Sequence, residues 1–134
     1  MTKNKWIVFS FSLLFLFSLV LLASCNSTPA TGPESAVAAY WQAMVDKDKS
    51  QLSTLSCADY EAEALTTLES FASFEPTLKE LSCTVLDETG DTARVACSGS
   101  IEVSYGAENL VIDLSERAYT AKKENGDWRM CGAE

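Results

Sequence analysis

Five cysteines, four tyrosines, nineteen carboxylates and no histidine are what this 134-residue chain offers for chemistry. The lack of histidine removes imidazole acid–base catalysis, imidazole metal ligation and Ser-His-Asp triads together. Cys57, Cys83, Cys97 and Cys131 lie 26, 14 and 34 residues apart, without the close pairs that a zinc site uses. There is no Asp-rich twelve-residue loop with its Gly and terminal Glu, so calcium is set aside as well. No metal and no cofactor is expected. Net charge is −9 at pH 7, and no segment has the basic surplus that a phosphate backbone requires, so nucleic acid is excluded as a partner.

Cys25 stands apart from the other four. Lys3 and Lys5 precede an apolar run of seventeen residues, Trp6 to Leu22, which is the layout of a secretory signal. Leu22-Ala23-Ser24-Cys25 follows, with small residues before a thiol. This tetrad resembles the bacterial lipoprotein signal, in which the Cys thiol is acylated and cleavage makes that Cys the first residue. The alternative is a plain signal or an uncleaved anchor, since seventeen residues sit at the lower edge of a membrane span. The resemblance implies a signal peptide over 1–24 and a lipidated N-terminus with a flexible linker over 25–33. It also implies a folded domain over 34–134, and membrane lipid as partner through acylated Cys25. The protein would be lipid-anchored and extracytoplasmic, at a bacterial cell membrane or outer membrane. Two or more acyl chains suffice for stable anchoring where one is marginal. The linker Asn26–Pro33 is small and polar, with two prolines and a glycine. Without the signal, 8 basic residues face 19 acidic ones, a net of −11 that favours distance from anionic headgroups.

The remaining four cysteines are even in number, and an exported compartment allows disulfides. Thr84–Asp87 and Thr92–Cys97 flank Glu88-Thr89-Gly90-Asp91, which is turn chemistry. A three-residue loop over Thr89–Asp91 sets Val85 opposite Val95 and Cys83 opposite Cys97, both on one face. A two-residue loop over Gly90–Asp91 would split those pairs between faces. The expected bridges are therefore Cys83–Cys97 and, with the remaining two, Cys57–Cys131.

These residues must be carried by helices first and strands second. Thr31-Gly32-Pro33-Glu34 has the form of a capping box, and Val37, Tyr40, Trp41, Met44 and Val45 form one apolar stripe at helical period. Ser50 is placed to cap a second helix with Leu52 and Leu55, and Asp59 to cap a third with Leu65, Leu68, Phe71 and Ala72 inward, ended by Pro76. After the first hairpin, Val95, Cys97, Gly99, Ile101 and Val103 alternate with polar residues. Gly106-Ala107 is a two-residue turn that sets Val103 opposite Leu110, Ile101 opposite Ile112 and Gly99 opposite Leu114. One long strand is expected from Glu108 to about Lys123. Its inward parity changes from even (Leu110, Ile112, Leu114) to odd (Tyr119, Ala121), which a bulge near Ser115–Ala118 would produce. Asn125-Gly126 then turns the chain into a last strand, with Trp128 and Met130 on the face of Lys123 and Ala121.

Three helices followed by a four-stranded antiparallel meander is an α+β layout. Residues 34–134 resemble the nuclear-transport-factor-2-like (NTF2-like) fold, in which a curved sheet wraps N-terminal helices into a cone. The resemblance rests on Ala39-Tyr40-Trp41-Gln42-Ala43-Met44, the Asp-Lys-Asp turn, and Lys123-Glu124-Asn125-Gly126-Asp127-Trp128-Arg129-Met130-Cys131. It is similar in particular to small secreted or lipid-anchored bacterial members, in which a helix Cys and a final Cys recur. The ketosteroid-isomerase and polyketide-cyclase types of that fold use a carboxylate in the cone, often beside Tyr donors or a His. The resemblance thus directs attention to Asp46, Asp59, Tyr40, Tyr60 and Asp113. Asp46 lies in a charge run, Asp59 at a helix start, and Asp113 on the polar side of its strand. Glu116, beside the inferred bulge, is the carboxylate that can point inward.

The pocket expected from these residues is Tyr40, Trp41, Tyr60, Glu116 and Trp128, although core packing accounts equally well for both tryptophans. No catalytic constellation is expected. The function that follows is a non-enzymatic domain binding a small ligand or another envelope protein. The alternatives are an isomerase- or cyclase-like enzyme and a structural module that forms homodimers.

Overall fold

A computed structural model of the chain describes residues 31–134; Cys25, the apolar run and most of the linker lie outside the described residues. Three helices come first: α1 (Pro33–Val45), α2 (Lys49–Leu55) and α3 (Glu61–Ser70). Five strands follow: β1 (Pro76–Thr89), β2 (Thr92–Tyr105), β3 (Glu108–Asp113), β4 (Ala118–Glu124) and β5 (Asp127–Ala133). The sheet is antiparallel, in order β1-β2-β4-β5, with β3 also paired to β2. Among the described residues no helix is long and apolar enough to cross a membrane.

The strand count is five, not four, and the reason is local. Asp113 accepts from the backbone N–H and the hydroxyl of Ser115, at 2.8 and 2.7 Å, so the chain turns there instead of continuing the ladder. Leu114–Glu116 form one 3-10 turn. This turn, in place of the expected bulge, switches the inward parity between Ile112 and Tyr119. It also ends the β2 pairing before Gly99 and Leu114 could meet. The two halves of the expected long strand pair with different stretches of β2: β3 with Ser100–Tyr105 and β4 with Thr92–Ala96.

Helix ends also differ from the sequence reading. The N-cap of α1 is Gly32 without a side-chain bond, not Thr31. Asp48, rather than Ser50, caps α2 by accepting from the Gln51 N–H at 2.9 Å. Asp59 does not cap α3, which starts from Tyr60. Ala72 is exposed beyond the end of α3, and Ala64 is the small residue that packs inward. Pro76 opens β1 rather than merely stopping a helix, which suits an edge strand whose first N–H needs no partner.

The first hairpin joins Val85 to Val95 and Cys83 to Cys97 in register, but through a turn other than the expected one. Thr89 pairs with Thr92, so the loop is the two-residue Gly90–Asp91, and a bulge at Leu86 then shifts the register before the cysteines. A second bulge in β1, at Glu80–Leu81, lies against Gly99. Gly99 has φ +104, and a Cβ there would stand 2.5 Å from the Lys79 carbonyl oxygen, so only glycine fits. Asn125 and Gly126 both take positive φ, 54 and 91, as a type I′ turn requires.

The core lies between the helices and one face of the sheet. Val37, Tyr40 and Met44 of α1 and Leu52 of α2 pack against Val95, Ile101, Tyr119 and Met130. Removing each such apolar side chain from water contributes about 1.5–3 kcal/mol. Two disulfides reinforce this layer. Cys83–Cys97 crosses the first hairpin, and Cys57–Cys131 joins the segment after α2 to β5. Strand parity alone would turn Cys131 outward. A bulge between Thr120–Gly132 and Ala121–Met130 makes Cys131 the extra residue and frees it to turn toward the helices. The Cys57 N–H donates to the Met130 carbonyl at 2.9 Å, fixing the same contact through the backbone.

Candidate functional site

Between α3 and the β3–β4 break lies a partly open cavity of about 290 Å³. Its floor is aromatic. Trp41 projects from α1, edge-on to Tyr119 with ring centroids 5.6 Å apart and edge-on to Tyr40 at 5.3 Å. One wall is α3 with its flanks, contributing Tyr60, Glu63, Thr67 and Phe71. The facing wall is sheet: Ile101 of β2, Ile112 of β3, and Leu114 of the 3-10 turn. Asp113, Glu116 and Arg117 stand at the mouth, all exposed to solvent.

Of the five residues expected to form a pocket, the structure brings Trp41, Tyr60 and Glu116 together around this cavity. Tyr40 lies beneath it in the core, touching it only through its neighbours Trp41 and Tyr60. Trp128 is at the other end of the sheet, its ring covered by Lys123 Nζ at 5.1 Å. Asp46 and Asp59 are exposed and outside the lining. Asp46 accepts from the Gln42 amide at 3.0 Å. Sequence reasoning missed Arg117 and Tyr119. The signal was the failed alternation itself: where a strand stops obeying period two, the chain is doing something other than pairing.

Tyrosines dominate the electrostatics. Burial drives the Tyr40 phenol far above its ordinary value, and proximity to Tyr60 and Glu63 adds to this. Burial also raises Tyr60, while the neighbouring Tyr40 hydroxyl and the Arg117 charge pull it back. Tyr119 is pushed up to about 12, chiefly by burial, with Arg117 opposing; its hydroxyl donates to the Leu114 carbonyl at 2.8 Å. Asp113 is held below the usual carboxylate range by its two bonds from Ser115. The Trp41 indole N–H is shut off from solvent and has no acceptor among the described residues.

Comparison with solved structures finds this arrangement of helices and sheet elsewhere. A candidate dehydratase from the NTF2-like family of Streptomyces avermitilis aligns with a TM-score of 0.54 at 18% identity, covering 73% of this chain and 88% of that one. An NTF2-like protein with a cystatin-like fold from Novosphingobium aromaticivorans aligns at 0.51 and 15% identity, covering 100% and 89%. The fold is NTF2-like. A SEC-C motif containing protein from Rhodopseudomonas palustris shares it at 0.55 and 14% identity, covering 79% and 80%. No protein-family model matches the chain, and the search of characterised proteins returned no match. At these identities the likeness carries the NTF2-like architecture and nothing about chemistry.

Within the NTF2-like fold, the cavity has an aromatic floor and apolar walls, and its carboxylates stand at the solvent-facing edge. Among the described residues no cluster of His, Cys, Asp or Glu fits a metal ion. Asp113, held in its charged form by Ser115, is the reverse of a base tuned to neutral pH. The arrangement sets Glu63, Asp113, Glu116 and Arg117 around an apolar interior.

Proposed function

We propose that the protein is a lipid-anchored, extracytoplasmic domain that binds a small, largely apolar ligand in its cone without converting it. The observation that carries the binding half is the aromatic-floored cavity between α3 and the β3–β4 break. A packed core would have favoured the structural reading, and an enclosed carboxylate the enzyme. Anchoring rests on Lys3, Lys5, the apolar run and Leu22-Ala23-Ser24-Cys25, and two disulfides suit a compartment where such bonds persist. On this reading residues 1–24 are removed, Cys25 carries the acyl chains and 26–33 spaces the domain from the membrane.

Two measurements test it. Expressed in a bacterium, the wild type should partition into detergent and begin at Cys25, and Cys25→Ser should abolish lipid labelling. Aqueous partitioning of the wild type would end the anchoring half. Purified protein should bind the neutral dye N-phenyl-1-naphthylamine saturably at one site, and Ile112→Trp, which fills the cavity, should remove that binding. Dye binding unaffected by Ile112→Trp would end the other half.

A further inference from the structure

Resting on the cavity being a binding site, we infer that its ligand is a cationic amphiphile, with an apolar, ring-sized body inside the cavity and an ammonium head at the mouth. The interior sets the body. Ile101, Ile112, Leu114 and Phe71 offer it nothing polar, and the Trp41 and Tyr119 rings floor it. Charge is confined to the border, where Glu63, Asp113, Glu116 and Arg117 are all exposed. A charged head among them keeps most of its water and escapes the penalty of burying an ion. The body binds by leaving water, and the head is read by the sign of the rim.

Three carboxylates against one guanidinium make that sign negative. Glu63 and Arg117 act on the Tyr60 phenol in opposite senses, so beside Tyr60 they offset each other. Asp113 and Glu116 are left over. Asp113 accepts two bonds from Ser115, at 2.8 and 2.7 Å, which favour its charged form. None of the four rim charges belongs to an ion pair among the described residues, so no nearby protein cation neutralises the carboxylates. The net charge of −9 adds to the same potential. Ring faces attract an ammonium as well, and Tyr60 and Phe71 join Trp41 and Tyr119 in the lining. A carboxylate head would gain Arg117 alone.

Three naphthalenes with hydrated heads of different charge separate these terms by displacement of N-phenyl-1-naphthylamine: 2-(2-naphthyl)ethylamine, 2-(2-naphthyl)ethanol and 2-naphthylacetate. At low salt and pH 7 the amine should bind about 3–10-fold tighter than the alcohol, as two exposed charge pairs provide. Screening at high salt should bring that ratio to within about twofold. The acetate should bind weakest. Glu63→Gln and Glu116→Gln should each lower the amine-to-alcohol ratio about 2–3-fold, and Arg117→Gln should raise it by about the same factor. Alcohol binding should stay within about twofold in all three variants, and circular-dichroism melts establish that they are folded. Equal binding of amine and alcohol, or tightest binding by the acetate, would overturn the inference while leaving the cavity a binding site. A preference for the amine that none of the three substitutions moves would overturn it too, since it would come from the charge of the whole chain. Failure of all three compounds to displace a dye that does bind would do the same. If the dye itself shows no saturable binding, the binding-site reading falls first, and this inference with it.

Discussion

Removing the bridges one at a time should rank them by the length of chain each closes. Cys57 and Cys131 are 74 residues apart, and Cys83 and Cys97 are 14 apart. In the loop-entropy model the longer closure restrains the unfolded chain by about 4.5 kcal/mol and the shorter by about 3 kcal/mol. For a domain of this size each kcal/mol moves the melting point by about 4 °C, so C57A/C131A should melt roughly 18 °C lower and C83A/C97A roughly 12 °C lower. Native contacts do not reverse this order. In each bridge one cysteine (Cys57, Cys97) is buried and its partner half-buried, so the two double variants lose similar burial. The assay is thermal and guanidinium unfolding followed by far-ultraviolet circular dichroism, with ΔG from linear extrapolation. A larger loss for C83A/C97A would refute the entropic ranking. A loss under about 1 kcal/mol for C57A/C131A would mean that the helix layer holds β5 without the bridge.

Gly99→Ala should cost about 2–3 kcal/mol in urea unfolding, because alanine is strained at φ +104 and its methyl would meet the Lys79 carbonyl; unchanged stability would mean that the close approach at the bulge is wrong. Tyr119→Phe should cost about 1–2 kcal/mol by leaving the Leu114 carbonyl unpaired, as measured by the same unfolding curve. Because the folded Tyr119 titrates near 12 against an ordinary 10, its burial stabilises the fold fully below pH 10 and loses that effect as pH rises toward 12. Absorbance at about 295 nm should therefore show a late tyrosinate step that Tyr119→Phe removes. Ser115→Ala deletes one of the two bonds to Asp113, so an NMR titration should find its carboxyl moved up toward the usual range. The depressed value favours the fold above the ordinary carboxylate range and ceases to do so as pH falls through it.

Period and turn chemistry made most of this fold legible. The α1 stripe, the Gly106 and Asn125-Gly126 turns and the alternation of β2 each have one local cause, and each appears where that cause acts. The first hairpin shows how a correct pairing can follow from a wrong turn. Cys83 meets Cys97 because the bulge at Leu86 restores the phase that the two-residue loop had shifted, and bulges have no reliable residue signature. Likewise Asp113 reads as an ordinary polar strand position until Ser115 is seen bonded to it. The site was legible in part for a related reason. Trp41 and Tyr60 sit on regular helical positions or caps, whereas Arg117 and Tyr119 depend on where the 3-10 turn places them in space. Trp128 carries the same aromatic signal as Trp41, and only the length of the sheet separates them.

Because β3 and β4 are each registered independently against β2, the four residues that join them, Leu114 to Arg117, are the hinge pin of neither pairing. A residue added or lost there changes the mouth of the cavity while both ladders keep their partners. The rim is thus an exchangeable fitting on a fixed frame, and variation in this segment should alter what the cone admits well before it alters whether the cone folds.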